Sequence, residues 1–138
     1  MFAGRSLFFA YGGSTFNATN NIIFRGILDN VGNDYDCSTG VYTCRIPGTY
    51  WFTASLGKFS FKGNLLINCF ILVNDYAYVA MQSDLGNYNN SSVDTVSGSG
   101  GMYLSKGDSV SVGRCKGLEH INNDFHTHFS GVLITPDV

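Results

Sequence analysis

The stretch Phe24–Phe52, FRGILDNVGNDYDCSTGVYTCRIPGTYWF, decides how this chain reads. Tyr42, Cys44 and Ile46 alternate with polar neighbours, and Tyr50, Phe52 and Ala54 resume the alternation after Pro47-Gly48. A period of two sends successive side chains to opposite faces of a pleated strand, so the pattern predicts half-buried β-strands. Working outward, Val110 and Val112 repeat it, as do Phe129, Gly131 and Leu133 with Ser130 between. Leu65 to Val73 is nearly continuous apolar sequence and predicts a strand buried on both faces. Turn chemistry separates these runs at Ser38-Thr39-Gly40, Pro47-Gly48, Asn74-Asp75, Gly86-Asn87 and Lys106-Gly107-Asp108. Hardly any segment carries helical spacing. About ten short strands joined by such turns predict an all-β sandwich. Asn87–Gly101, NYNNSSVDTVSGSGG, is the most biased stretch and predicts an exposed loop leading into a strand.

Bulk properties narrow the function. The 138 residues read as one domain, 1–138, with only 13% charged and 14% aromatic residues and 17 glycines, which suits short strands and tight turns. A net charge of −2 argues against nucleic acid as a partner, because that needs a basic face. No run is long enough to span a bilayer: Leu65–Val73 is short and interrupted by Asn68. Leu7–Ala10, after Arg5, is too short for a signal-peptide apolar region; the expectation for a secreted protein is that these residues begin after its leader or are only the head of a longer chain.

The spacing in the opening stretch resembles the signature of complement C1q globular-head domains. Phe24 is followed by Asn30 six residues on, Tyr35 after five more and Tyr42 after seven, and the stretch closes in Gly48-x-Tyr50-x-Phe52. Tyr42 stands where that family usually has Phe, and Ala54 where it has a final aromatic. LFFAY (Leu7–Tyr11) is similar to the family's first strand, and GGMYLSKGDSVSV (Gly100–Val112) to its strand–turn–strand unit. Phe129–Ile134 with Pro136-Asp137 is similar to its closing strand. The resemblance implies a ten-stranded jelly-roll β-sandwich of the tumour-necrosis-factor-like kind, a compact homotrimer and an extracellular, secreted protein. Eleven Phe, eight Tyr and one Trp exceed what one small core hides, so some rings are expected to face partner chains. Members often hang from a collagen stalk or coiled coil, and no collagen-like repeat or heptad occurs here.

Four cysteines, Cys37, Cys44, Cys69 and Cys115, lack zinc-ribbon spacing. Cys37 and Cys44 flank the Ser38-Thr39-Gly40 turn and are candidates for a short bridge; the family commonly has Pro at the position of Cys37. The family topology makes the strands of Cys69 and Cys115 neighbours, so that pair is also a disulfide candidate. The alternative is four buried thiols acting as small apolar side chains. Asn17, Asn89 and Asn90 each begin an Asn-x-Ser/Thr sequon and are glycosylation candidates.

Three constellations are candidate sites. Lys58 and Lys62, with Arg114 and Lys116, form basic strips that suit anionic polysaccharide, lipid headgroups or acidic proteins; the alternative is ordinary solvated charge. Asp94 aligns with a family position where an aspartate helps hold calcium, the one cofactor expected, although calcium needs six to eight oxygens. The alternative is a plain loop aspartate. His126 and His128, in LEHINNDFHTHF with Glu119, His120 and Asp124, have a spacing usable for zinc or copper if both lie on one strand. The alternative is two surface histidines at a strand mouth. No catalytic pattern is evident: Cys115 and His120 have no orienting third residue, and Gly98–Gly101 opens no helix.

The resulting expectation is a non-enzymatic recognition head. It would bind lipopolysaccharide, surface glycans or proteins multivalently in innate immunity. The competing expectation is a receptor-binding signalling or extracellular-matrix head, adipokine-like, synaptic-organiser-like or short-chain-collagen-like.

Overall fold

The computed structural model describes residues 4–13, 15–17, 21–60, 66–84, 92–116 and 126–137. The strands are β1 (Leu7–Tyr11), β2 (Thr15–Phe16), β3 (Ile22–Ile23), β4 (Gly26–Val31), β5 (Tyr35–Asp36) and β6 (Val41–Thr43). They continue with β7 (Gly48–Ser60), β8 (Leu66–Val73), β9 (Tyr76–Asp84), β10 (Ser92–Leu104), β11 (Ser109–Lys116) and β12 (His128–Pro136). Ten of them form two five-stranded antiparallel sheets, ordered β10-β7-β12-β1-β4 and β5-β6-β11-β8-β9. The remaining two, β2 and β3, make a separate ribbon. This is the all-β jelly roll that the alternation and the resemblance imply.

The signature spacing has a physical cause. Phe24, Tyr35, Tyr42, Tyr50 and Phe52 are all buried. They converge on Phe8 and Phe129, with the Phe8 ring stacked on Tyr35 at 4.7 Å and on Tyr42 at 5.4 Å, and edge-on to Phe129 at 4.9 Å. Each such side chain contributes roughly 1.5–3 kcal/mol by burial. Asn30 holds the turn that aims Tyr35 inward. Its Nδ2 donates to the Tyr35 carbonyl (2.8 Å) and its Oδ1 accepts the Tyr35 N–H (3.2 Å). The Tyr35 hydroxyl then donates to the Phe24 carbonyl at 2.7 Å. Tyr42, where Phe is usual, brings a hydroxyl 2.7 Å from Ser6 Oγ, so this swap keeps the ring and gains a polar tie.

Ser6 Oγ also donates to Asp34, and Asp34 receives Arg45 Nε at 2.9 Å and Nη2 at 3.2 Å. The Asp34 side chain is only 7% exposed, and pairing with it raises the Arg45 pKa. Arg45 Nη2 further donates to the Arg5 carbonyl at 2.8 Å. The chain is thereby clasped where it enters β1.

Two expectations are corrected. Most of the Asn/Ser/Gly-rich stretch is not loop: from Ser92 onward it is strand β10. Its glycines serve packing, because a Cβ at Gly98 would lie 2.8 Å from Met81 Cγ and 2.9 Å from Val79 Cγ1. At Gly100 it would lie 3.1 Å from Val79 Cγ2. Missing side chains there let β9 close the open side of the sandwich against β10. The apolar run in β8 is buried throughout one face, at Ile67, Cys69 and Ile71, but on the other only Leu72 is buried, and Asn68 and Phe70 are half-buried.

Candidate functional site

The chain passes between the sheets three times at one end, from β7 to β8, β9 to β10 and β11 to β12. Register fixes what meets there. Asp94 pairs with Lys58 across β10 and β7, and Lys116 lies opposite Asn68, which in turn lies opposite Gln82. Lys58, Asp94 and Lys116 are therefore brought to the same end, from both sheets. Lys62 lies outside the described residues.

Arg114 behaves differently from its partner in the predicted strip. The β11–β8 register shifts between Gly113 and Lys116, leaving Arg114 at a bulge with φ of +53°. The Arg114 N–H is accepted by Asn21 Oδ1 (3.2 Å), which pins the β2–β3 ribbon to the bulge, and its Nη2 donates to the Asp75 carbonyl in the β8–β9 turn (2.6 Å). Asn21, Leu72, Asp75 and Arg114 line a cleft of about 320 Å³. Leu72 is 2% exposed although it faces outward, since Arg114 and the ribbon lie over this part of the sheet. The guanidinium is partly committed to the fold while remaining at the surface.

The bulge also turns Cys115 inward, where it forms a disulfide with Cys69, Cα to Cα 4.2 Å. Both residues are buried. Cys37 and Cys44 remain thiols, which corrects the expected bridge across the Ser38-Thr39-Gly40 turn, as well as the reading in which all four are reduced. The hairpin explains why. Tyr35 pairs with Tyr42 and Asp36 with Val41, so Cys37 and Cys44 are four residues out of register, about 13 Å of strand rise. Cys37 faces solvent, while Cys44 is buried and its Sγ donates to the Ile46 carbonyl at 3.2 Å. Burial raises the Cys44 pKa, so this thiol stays protonated and inert.

His126 precedes β12 in a turn, and only His128 is on the strand, stacked on Phe9 at 5.1 Å. The same-face argument for the pair therefore does not apply. Thr127 between them is buried, and its Oγ1 accepts the Gly57 N–H at 3.1 Å. Glu119, His120 and Asp124 lie outside the described residues. Among the described residues, no group of three or more His, Cys, Asp or Glu side chains is placed to hold a metal ion. Asn17 is exposed at the ribbon's tip; Asn89 and Asn90 lie outside the described residues.

The outer face of the first sheet carries a feature that the sequence reading names only as surplus rings. One row runs Gly101–Trp51–Val132–Leu7–Val31 across all five strands. Trp51 is 44% exposed, lying over Gly101, and Leu7, Val132, Ile134 and Tyr103 are exposed around it. Leu7, Phe9, Asp29, Trp51, Thr53 and Val132 border a shallow groove of about 190 Å³ on this face. The signal available in sequence was the set of apolar residues on the outward phase of each strand, Leu7, Trp51 and Val132.

The C1q domain family profile matches residues 8–134. One of the subunits of the human complement C1q subcomponent is 29% identical over 126 residues, covering 85% of this chain and 44% of that protein. Mouse complement C1q tumor necrosis factor-related protein 3 is 27% identical over 118 residues, covering 86% and 46%. The chain thus spans less than half the length of these two relatives. The solved globular domain of zebrafish complement 1qA protein superposes with a TM-score of 0.72 at 21% identity, covering 96% of this chain and 99% of that one, a likeness of fold. With the signature residues gathered in one aromatic core and the profile spanning nearly the whole sandwich, this chain belongs to the C1q domain family.

Proposed function

We propose that this chain is the recognition head of a secreted, non-enzymatic protein that assembles as a homotrimer and binds microbial or host surface ligands multivalently in innate immunity. The carrying observation is the exposed apolar row on the first sheet, Leu7, Trp51 and Val132, flanked by Tyr103 and Ile134. A contiguous apolar face of this kind is normally covered by a partner, and a second and third copy of the chain are the partners always present. Such an assembly uses the sheet face and leaves the crossover end free. Lys58, Lys62 and Lys116 then supply cations for anionic polysaccharide, lipopolysaccharide or acidic protein, while the Arg114 guanidinium, directed to the β8–β9 turn, lies apart from them. Three weak sites gain effective concentration on a repetitive surface. The buried Cys69–Cys115 bridge fits an oxidising compartment, and the described residues contain no helix long and apolar enough to cross a membrane. Calcium is the one cofactor in this reading, with Asp94 of each copy as its protein carboxylate.

Sedimentation with calcium and then with chelator, followed by binding to lipopolysaccharide across a salt series, tests the proposal. The expected result is a mass near three times 15.0 kDa and binding that weakens with salt. A monomer in both buffers with no lipopolysaccharide binding would sink it. The second reading, a receptor-binding signalling or extracellular-matrix head, is favoured by the match to the tumor necrosis factor-related protein at nearly the same identity as the complement protein. One saturable protein partner, undisturbed by competing polysaccharide, would select it.

A further inference from the structure

We propose that the cleft between Asn21, Leu72, Asp75 and Arg114 is a binding site for a small amino acid, whose carboxylate meets Arg114 and whose ammonium meets Asp75. Its volume of about 320 Å³ is at the small end of ligand pockets. The site is separate from the apolar row and from the lysines of the crossover end, and it needs no second copy of the chain. Local features of the backbone build it. Gly113 makes room for Asn21, because a Cβ there would collide with the Asn21 amide. Asn21 Oδ1 in turn accepts the Arg114 N–H at 3.2 Å, and Arg114 takes a left-handed conformation, φ +53°, that residues other than glycine seldom adopt. Such conformations concentrate at ligand sites, and bulges there re-aim a side chain. Here the re-aimed group is a guanidinium, held in place by the bond from Nη2 to the Asp75 carbonyl at 2.6 Å.

Charge decides the ligand. Arg114 touches Asp75 through the backbone carbonyl, and among the described residues the two side chains form no ion pair. Nor, among the described residues, does the Asp75 carboxylate accept a hydrogen bond, or Arg114 Nε or Nη1 donate one. A cation and an anion thus line one cleft, both exposed and neither neutralised by the other. The planar guanidinium fork matches a carboxylate through two parallel hydrogen bonds, and one guanidinium balances one monoanion. A phosphate dianion would bring surplus negative charge up to Asp75. A simple carboxylate meets the same repulsion, and a simple amine meets that of Arg114. A ligand with both charges on a short spacer satisfies both walls, and the repulsive partner of each wall excludes the singly charged analogues.

The test is titration of the full chain with β-alanine, propionate, propylamine and phosphoethanolamine, read by calorimetry and by the Arg114 Nε–H signal in NMR spectra. β-Alanine should shift that signal and bind about tenfold tighter than propionate or propylamine. Asp75→Asn is the informative variant. Asparagine tolerates positive φ, and the bond from Arg114 goes to the backbone, so the turn is kept. It should weaken β-alanine about tenfold while propionate binds as well as before or better. Arg114→Gln should abolish binding of both. If that variant fails to fold, Arg114→Lys, which keeps the charge and loses the fork, should bind β-alanine more weakly than the wild type does. An Arg114 signal unmoved by β-alanine, equal binding of β-alanine and its singly charged analogues, or a preference that survives Asp75→Asn would each overturn the inference. Phosphoethanolamine binding tighter than β-alanine would overturn the carboxylate assignment. Lipopolysaccharide binding is a separate readout, so its absence from wild type and Asp75→Asn alike would count against the lysine surface and not against this cleft.

Discussion

Tyr35, Tyr42 and Tyr50 show what single residues contribute. Burial raises the pKa of all three phenols, most of all for Tyr50 and Tyr35. Above about pH 10 an unfolded chain gives up these protons while the folded chain keeps them, so unfolding releases protons. Stability is therefore held below that pH and falls as the pH rises above it. Urea unfolding on either side of pH 10, with tyrosinate absorbance, checks this; a midpoint flat with pH would contradict it. The disulfide is a second residue-scale device. Replacing Cys69 and Cys115 together by Ala frees a loop of 46 residues and should lower stability by about 4 kcal/mol on the chain-entropy estimate. An unchanged urea midpoint would show that the bridge does not constrain the unfolded chain. Much at this scale was legible. The spacing from Phe24 to Phe52 identifies the aromatic core because each ring sits on the inward phase of a strand. The free thiols were not legible, since pairing Cys37 with Cys44 depends on a hairpin register that flanking position in sequence does not reveal. Nor was the role of Arg114: alternation treats it as a twin of Lys116, and only the bulge, with its positive φ, turns it over Leu72.

At the scale of elements, β10 teaches most. Composition made Asn87–Gly101 read as a loop leading into a strand, because glycine is poor in strands, whereas the strand already begins at Ser92. Tertiary packing overrides that preference: the inward phase of β10 runs Val96, Gly98, Gly100, Met102 and Leu104, and its two glycines accept the Val79 and Met81 side chains of β9. Gly98→Val should force those two side chains aside and cost about 1–3 kcal/mol, with altered methyl signals at Val79 and Met81 in NMR spectra. A variant as stable as the parent would mean that β9 is free to shift outward, and that the seam is loosely packed. The β2–β3 ribbon is a second case. It was not predicted as an element, since two-residue strands carry no periodicity, yet through Asn21 it fixes the bulge on β11.

For the whole molecule, the architecture was readable from turns and alternation, whereas the use of its surfaces was readable only as an excess of rings. Which rings lie outside depends on strand register across five strands, and that is set by pairing between distant segments. Trp51→Glu places a charge in the middle of the apolar row. It should convert the proposed trimer to monomer in sedimentation while leaving the far-ultraviolet spectrum and the melting temperature of the fold nearly intact, since Trp51 is outside the core. Retention of the trimer would move the interface elsewhere on the sandwich. Lys116→Ala, at the crossover end, should leave the mass unchanged and reduce the salt-sensitive part of lipopolysaccharide binding; equal binding at every ionic strength would remove Lys116 from the ligand surface. The clasp at the start of β1 has a mechanical consequence. Arg45 grips the Arg5 carbonyl, and β1 runs antiparallel between β12 and β4, with hydrogen bonds lying across its length. Tension delivered at Arg5 is consequently borne in shear, by both ladders together and by the ring of Phe8 locked among its neighbours, instead of peeling one bond after another. In the proposed surface-binding assembly, a pull passed through Arg5 would therefore load β1 along its length.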